Sequence, residues 1–202
     1  MLDGIEGTLT WQPPSGEELG TTSDIVTDAL TAFGLKAGDA AHFSDVLAQA
    51  SASANTNVSM MGESFKYVAP IAGAMKYSVE DTSLALGLMA NASVKGSMAG
   101  TSLKTALANM AAPTDKMAAA MKQYGISLTD SNGNMKTLKG VLDNLRTSLG
   151  GLSETEKTAA ASTIFGKEAM SGMLAIVNAS EEDYNKLAES ISNADGAAAK
   201  NV

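Results

Sequence analysis

His42 is the first residue to weigh for chemistry, because it is the only imidazole in the chain and imidazole is the usual proton carrier near neutral pH. It stands between Ala41 and Phe43. With no second histidine, a Ser-His-Asp triad has no spare base, and a two-histidine metal site cannot be assembled. His42 therefore reads as a packed or partly exposed helix residue. A second candidate is Asp130-Ser131-Asn132-Gly133-Asn134, whose oxygen-bearing side chains recur at alternate positions as at the start of a calcium loop. That loop also requires glycine at its sixth position and a bidentate glutamate at its twelfth, where this chain has Met135 and Val141. A plain turn is the better reading, since Asp and Asn bond their own backbone and Asn-Gly tolerates positive φ.

Adjacent acids at Glu17-Glu18, Glu80-Asp81 and Glu181-Glu182 would suit general acid-base work only if each pair straddled a cleft in two different environments. Sequence neighbours point to different sides of a helix, and two of these pairs fall at predicted helix starts, so capping and solubility account for them. Gly96-x-x-x-Gly100 permits close helix approach, a signal with force mainly inside an apolar membrane span, so a loop or turn between helices is the reading here. No phosphate-binding glycine loop and no dinucleotide fingerprint is present. The 12 methionines supply stripes suited either to an adaptable partner surface or to core packing, and packing is preferred. Zero cysteines removes disulfides and thiolate chemistry. Accordingly no catalytic, cofactor-binding or metal-ligating residue is assigned, and the chain reads as a non-enzyme.

The elements that would carry such residues are helical. Hydrophobic content is 45% but aromatics are only 4%, and alanine and methionine favour closely packed helices over sheet. Net charge is −8, with eleven acids against four bases up to Thr101 and eleven against ten beyond it. An acidic surface repels nucleic-acid phosphate and anionic lipid, so nucleic-acid contact is not expected. The start Met1-Leu2-Asp3-Gly4-Ile5-Glu6 has neither the basic nor the apolar region of a secretory signal, and no apolar run reaches the roughly 20 residues of a membrane span. The expectation is a soluble chain that does not use the signal-dependent export route.

Residues 1–22, with Trp11 and Pro13-Pro14, read as an extended or turn-rich segment. Ser23 then caps a helix with Val26, Leu30 and Phe33 inward and Gly34 at its end. A helix near Asp39 carries Phe43, Val46, Leu47 and Ala50; the next, capped by Asn57, carries Val58, Met61, Phe65, Val68 and Ala72, with Pro70 kinking or breaking it. Ser78 opens a fourth, and Leu103, Ala106, Leu107 and Met110 mark a fifth after the glycines. Pro113 divides this helical subdomain, 23–112, from a second, 113–202. There Met117, Ala120, Met121 and Tyr124 precede Gly125, and alternation at 126–136 predicts a small β-hairpin. Thr137 caps a helix with Leu138, Val141, Leu142, Leu145 and Leu149; Ser153 with Glu156 and Ser180 with Asp183 open two more, Met170, Met173, Leu174 and Val177 form a stripe between them, and Tyr184, Leu187 and Ile191 face inward on the last. The fold class is all-α, a bundle of about ten short helices, ending at Asp195-Gly196-Ala197 as though truncated.

Several strings then carry a resemblance. Thr22-Ser23-Asp24-Ile25-Val26-Thr27-Asp28-Ala29-Leu30-Thr31-Ala32-Phe33-Gly34 resembles the core region of phage tail tape measure proteins, in the phage-related minor tail protein family. Asn55-Thr56-Asn57-Val58, Tyr67-Val68-Ala69-Pro70, Leu86-Gly87-Leu88-Met89-Ala90-Asn91, Lys95-Gly96-Ser97 and Ile164-Phe165-Gly166-Lys167-Glu168-Ala169-Met170-Ser171-Gly172 look like the same family in the same order.

The resemblance implies a structural component of phage or prophage tail assembly, a core fragment of a protein that lies in the tail tube and sets tail length. It implies tail tube, tail initiator and assembly chaperone proteins as partners, with self-association, and a place in the virion tail after assembly in the host cytoplasm. A continuous helix turns sequence length into spatial length, whereas this segment is punctuated every ten to twenty residues and should be a compact bundle. Two other readings are a free-standing helical adaptor with Met-rich faces and a domain associated with a cell-wall hydrolase; for the latter no pair of positioned carboxylates is identified.

Overall fold

Side-chain caps and backbone breaks cut the chain into ten α-helices among the described residues, 19–197, of the computed structural model. They are α1 (Leu19–Phe33), α2 (Ala40–Ser53) after a 3-10 turn at Ala37–Asp39, α3 (Val58–Ala74), α4 (Val79–Asn91), α5 (Gly96–Ala111), α6 (Asp115–Gln123), α7 (Leu138–Leu149), α8 (Glu154–Phe165), α9 (Lys167–Asn178) and α10 (Glu181–Ser192). The caps expected at Asn57, Ser78, Thr137, Ser153 and Ser180 are in place. Asn57 Oδ1 accepts the Met60 amide at 2.8 Å, Thr137 Oγ1 the Gly140 amide at 3.0 Å and Ser180 Oγ the Asp183 amide at 3.0 Å. Ser153 and Glu156 close a reciprocal box, the Glu156 carboxylate accepting the Ser153 amide at 3.2 Å. Each such cap stabilises its helix by about 1 kcal/mol. Between α8 and α9 only Gly166 intervenes, at φ 84° and ψ 160°, a backbone region open essentially to glycine.

α4 is the axis of the assembly. Its stretch Thr82–Ala90 is buried throughout, and it packs against α2, α3, α5, α7, α9 and α10. A helix apolar on all sides is stable only when surrounded, which is what this sequence of Leu, Ala, Met and Gly requires. Around it the buried residues form one cluster that runs from Ile25 to Ala194 and crosses the Ala112–Pro113 boundary. The anticipated inner faces are buried: Phe43, Val46, Leu47 and Ala50 on α2, Leu138, Val141, Leu142, Leu145 and Leu149 on α7, and Tyr184, Leu187 and Ile191 on α10.

Small residues set the closest helix contacts. At Gly100 of α5 a methyl group would collide with the backbone of Ser64 in α3, and at Gly73 of α3 one would collide with the backbone of Ala32 in α1. Ser64 Oγ seals the first contact by donating to the Gly96 carbonyl at 2.8 Å. The loop reading of Gly96-x-x-x-Gly100 is therefore corrected: Gly96 opens α5 at φ 58°, and Gly100 lies inside it, where the absence of a side chain lets the two backbones meet.

Three further local expectations change. α1 begins at Leu19, so Ser23 lies within it and not at its start, and residues 1–18 of the N-terminal segment, with Trp11 and Glu17-Glu18, lie outside the described residues. Pro70 does not break α3, which continues to Ala74; Pro70 is exposed, and the helix forgoes there the one amide bond that residue 70 would donate to the Lys66 carbonyl. The hairpin shrinks to a single antiparallel bridge between Thr129 and Met135, with Lys136 donating to the Leu128 carbonyl at 2.8 Å. Asp130 holds the turn tightly, but the segments flanking it are committed to α6 and α7 before a ladder can extend.

Candidate functional site

His42 projects from α2 between two carboxylates remote in sequence. Its Nε2 lies 2.6 Å from Glu80 Oε1 at the start of α4, and its Nδ1 lies 3.0 Å from Asp195 Oδ1 beyond α10. The hydrogen bond with Glu80 raises the imidazole above its ordinary pKa, burial works against that, and Asp195 adds to the rise. His42 is exposed and held by ion pairing, and among the described residues its ring hydrogen-bonds the two carboxylates and no serine or threonine.

The acid pair Glu80-Asp81 divides as helix geometry requires, but each member makes a tertiary contact. Glu80 meets His42, while Asp81 Oδ2 accepts the Lys139 amide at 2.8 Å, capping the first turn of α7 from another helix. Burial holds the Asp81 carboxyl above the usual carboxylate range, with the Lys139 amide opposing. Solubility alone does not account for this pair. Glu181-Glu182, by contrast, are exposed in the first turn of α10.

Sequence reasoning missed the polar cluster that α7 and α10 build around Tyr184. The Tyr184 hydroxyl donates to Asp143 Oδ1 at 2.5 Å, Lys139 Nζ donates to Asp143 Oδ2 at 2.8 Å, and the Arg146 guanidinium stacks 4.4 Å from the Tyr184 ring centre. Arg146 Nη1 also donates to the Ile176 and Ala179 carbonyls at 2.8 and 2.7 Å, closing the C-terminal end of α9. Burial and then the Asp143 carboxylate push the Tyr184 phenol far above its ordinary pKa, so it stays protonated and donates. A signal was available: a tyrosine at an inward position needs a partner for its hydroxyl. The adjoining groove of about 480 Å³ is lined by these same groups, which satisfy one another.

The remaining candidate, Asp130, makes local contacts. Asp130 accepts the Asn132 and Asn134 amides at 2.8 and 2.9 Å, so the alternating oxygens serve the turn. The backbone hydrogen bond from Asn134 leads the effects that hold the Asp130 carboxyl below the usual carboxylate range. Among the described residues no group of three or more His, Asp or Glu side chains is arranged to hold a metal ion, and no helix is long and apolar enough to cross a membrane. Met173 is fully buried, whereas Met60 and Met98 are 41% and 60% exposed, so the methionines divide between core and surface. A groove of about 620 Å³ between α1 and α3, lined by Ile25, Ala29, Phe65, Ala69 and Pro70, is largely apolar.

Comparison with known proteins supplies the context that this geometry lacks. The chain is 40% identical over 198 residues, 98% of its length, to a tape measure protein of Pneumococcus phage Dp-1, and the match covers 17% of that protein. It is 31% identical over 175 residues, 85% of its length, to a probable tape measure protein of Escherichia phage P2, covering 22% of it. The chain thus spans about a fifth of the length of these relatives. No solved structure matches it. A free-standing adaptor is not favoured by relatives of this kind. The profile of the phage-related minor tail proteins matches residues 1–166, and the chain belongs to that family of phage tail structural proteins.

Proposed function

We propose that this chain is a folded, non-catalytic segment of a tape measure protein, lying in the tail tube and helping to set tail length. The observation that carries the reading is the 40% identity to a tape measure protein along 98% of the chain. Within the whole protein its partners are the tail tube, the tail initiator and the assembly chaperones, together with further copies of itself. It is assembled in the host cytoplasm and ends in the virion tail. The non-catalytic reading is supported by how the ionisable groups are used: Asp81, Asp143, Lys139 and Arg146 are engaged at helix ends and with one another.

A bundle and a ruler have different lengths. A continuous helix rises ~1.5 Å per residue, so residues 19–197 drawn out as one helix would span on the order of 270 Å, whereas the described helices turn back on one another. Deleting the stretch corresponding to 19–197 from a full-length tape measure relative and measuring tails by electron microscopy tests the reading. Tails that still assemble, shortened by far less than ~1.5 Å per deleted residue, are the expected result. Shortening in full proportion would show an extended ruler in the tube and reject the bundle. Normal tails of unchanged length and number would remove this segment from tail assembly altogether.

A further inference from the structure

The turn after α10 is docked on α2 by contacts that no local rule explains. Asp45 Oδ2 accepts the Gly196 amide at 2.7 Å, Ala194 and Ala197 are buried, and Asp195 Oδ1 lies 3.0 Å from His42 Nδ1. The other ring nitrogen, Nε2, is 2.6 Å from Glu80 Oε1. A neutral imidazole has one donor and one lone pair, so it can donate to only one of two carboxylates, and its lone pair must face the other. Imidazolium donates from both nitrogens. The arrangement is complete only in the charged form.

We propose that His42 is a proton-dependent clasp, holding the turn Asn193–Ala197 against α2 while charged and loosening it when neutral, and so setting the direction in which the chain leaves α10. The charged groups acting on the ring are Glu80 of α4 and Asp195 beyond α10. On its own helix Asp45 is engaged with Gly196, and Asp39 of the preceding turn accepts the Lys36 amide at 2.8 Å. The Glu80 contact is the shorter and less exposed of the two, so the neutral ring keeps Glu80 and gives up Asp195, whose side chain is 90% exposed. The sign follows from the raised pKa of the folded ring. The clasp contributes fully below the unfolded value near 6.5 and is lost as pH rises through the folded one.

Because His42 is the only histidine, its titration gives a single NMR signal in the full chain. The expected midpoint lies above ~6.5, and Asp195→Asn, at an exposed position that does not threaten folding, lowers it. Solvent exchange of the Gly196 amide, read by saturation transfer and corrected for base catalysis, should quicken by up to about fivefold across the same midpoint, the range of exposed ion pairs. His42→Gln should show the faster exchange at every pH. A His42 midpoint at or below ~6.5 would overturn the proposal. So would a Gly196 amide without a step at that midpoint, or an undiminished step in His42→Gln.

Discussion

The helices before Pro113 and those after Met135 pack by different means. In the earlier region α1, α3 and α5 approach through glycines, with Gly73 on Ala32 and Gly100 on Ser64, and Phe65 sits edge-on to both Phe33 and Phe43 at ring separations of 5.8 and 5.4 Å. In the later region α7 and α10 present Leu, Ile and Val to the core and add charged ties through Lys139, Asp143 and Arg146. Backbone-to-backbone contact maximises dispersion but leaves no room for an added atom. Longer side chains leave the backbones apart and put polar groups within reach of neighbouring helix ends. At Gly73 and Gly100 the first region meets backbone with backbone, whereas the tight glycine of the second, Gly172, meets side chains of Ser102 and Met89.

Unfolding measurements can break or sharpen that contrast. The largest effect should come from Phe65→Ala, which removes the ring shared by both aromatic pairs and should cost about 3–5 kcal/mol, read as a lower urea midpoint at unchanged slope. Gly100→Ala comes next, at about 1–3 kcal/mol, because the new methyl has only the Ser64 backbone to displace. A neutral result there would mean that α3 and α5 can slide apart, and the contrast would fail. In the later region Tyr184→Phe should cost about 1 kcal/mol, since Asp143 is half exposed and water can replace the lost hydroxyl. Smallest is Gly151→Ala, where nothing lies within 4 Å: it should stabilise by about 0.4–1 kcal/mol, seen as a slightly higher melting temperature. Opposite signs for the same chemical change would separate a glycine at a helix contact, Gly100, from one in an open turn, Gly151.

Much of the fold was legible because local rules and tertiary packing agree. Asn57, Ser78, Thr137, Ser153 and Ser180 each bond the amide three residues on, as their positions before apolar periodic runs require. The candidate site was less legible. His42 reads as a packed or partly exposed helix residue and is exposed, and nothing in its neighbours Ala41 and Phe43 hints that Glu80 and Asp195 flank it. The Tyr184 cluster drew on Asp143 and Arg146, which look like ordinary solvated helix charges at their places in the chain.

The order of residues alone settled the helical class, the helix starts capped by Asn57, Ser78, Thr137, Ser153 and Ser180, and many of the faces turned inward, because capping and 3.6-residue periodicity act within a few positions of the chain. It also carried the family likeness. Which glycine meets which backbone, which helix becomes the central one, and which carboxylates reach His42 were set by the packing of segments far apart in sequence. Those outcomes depend on three-dimensional juxtaposition, where an added methyl or a missing proton matters only once the partner has arrived.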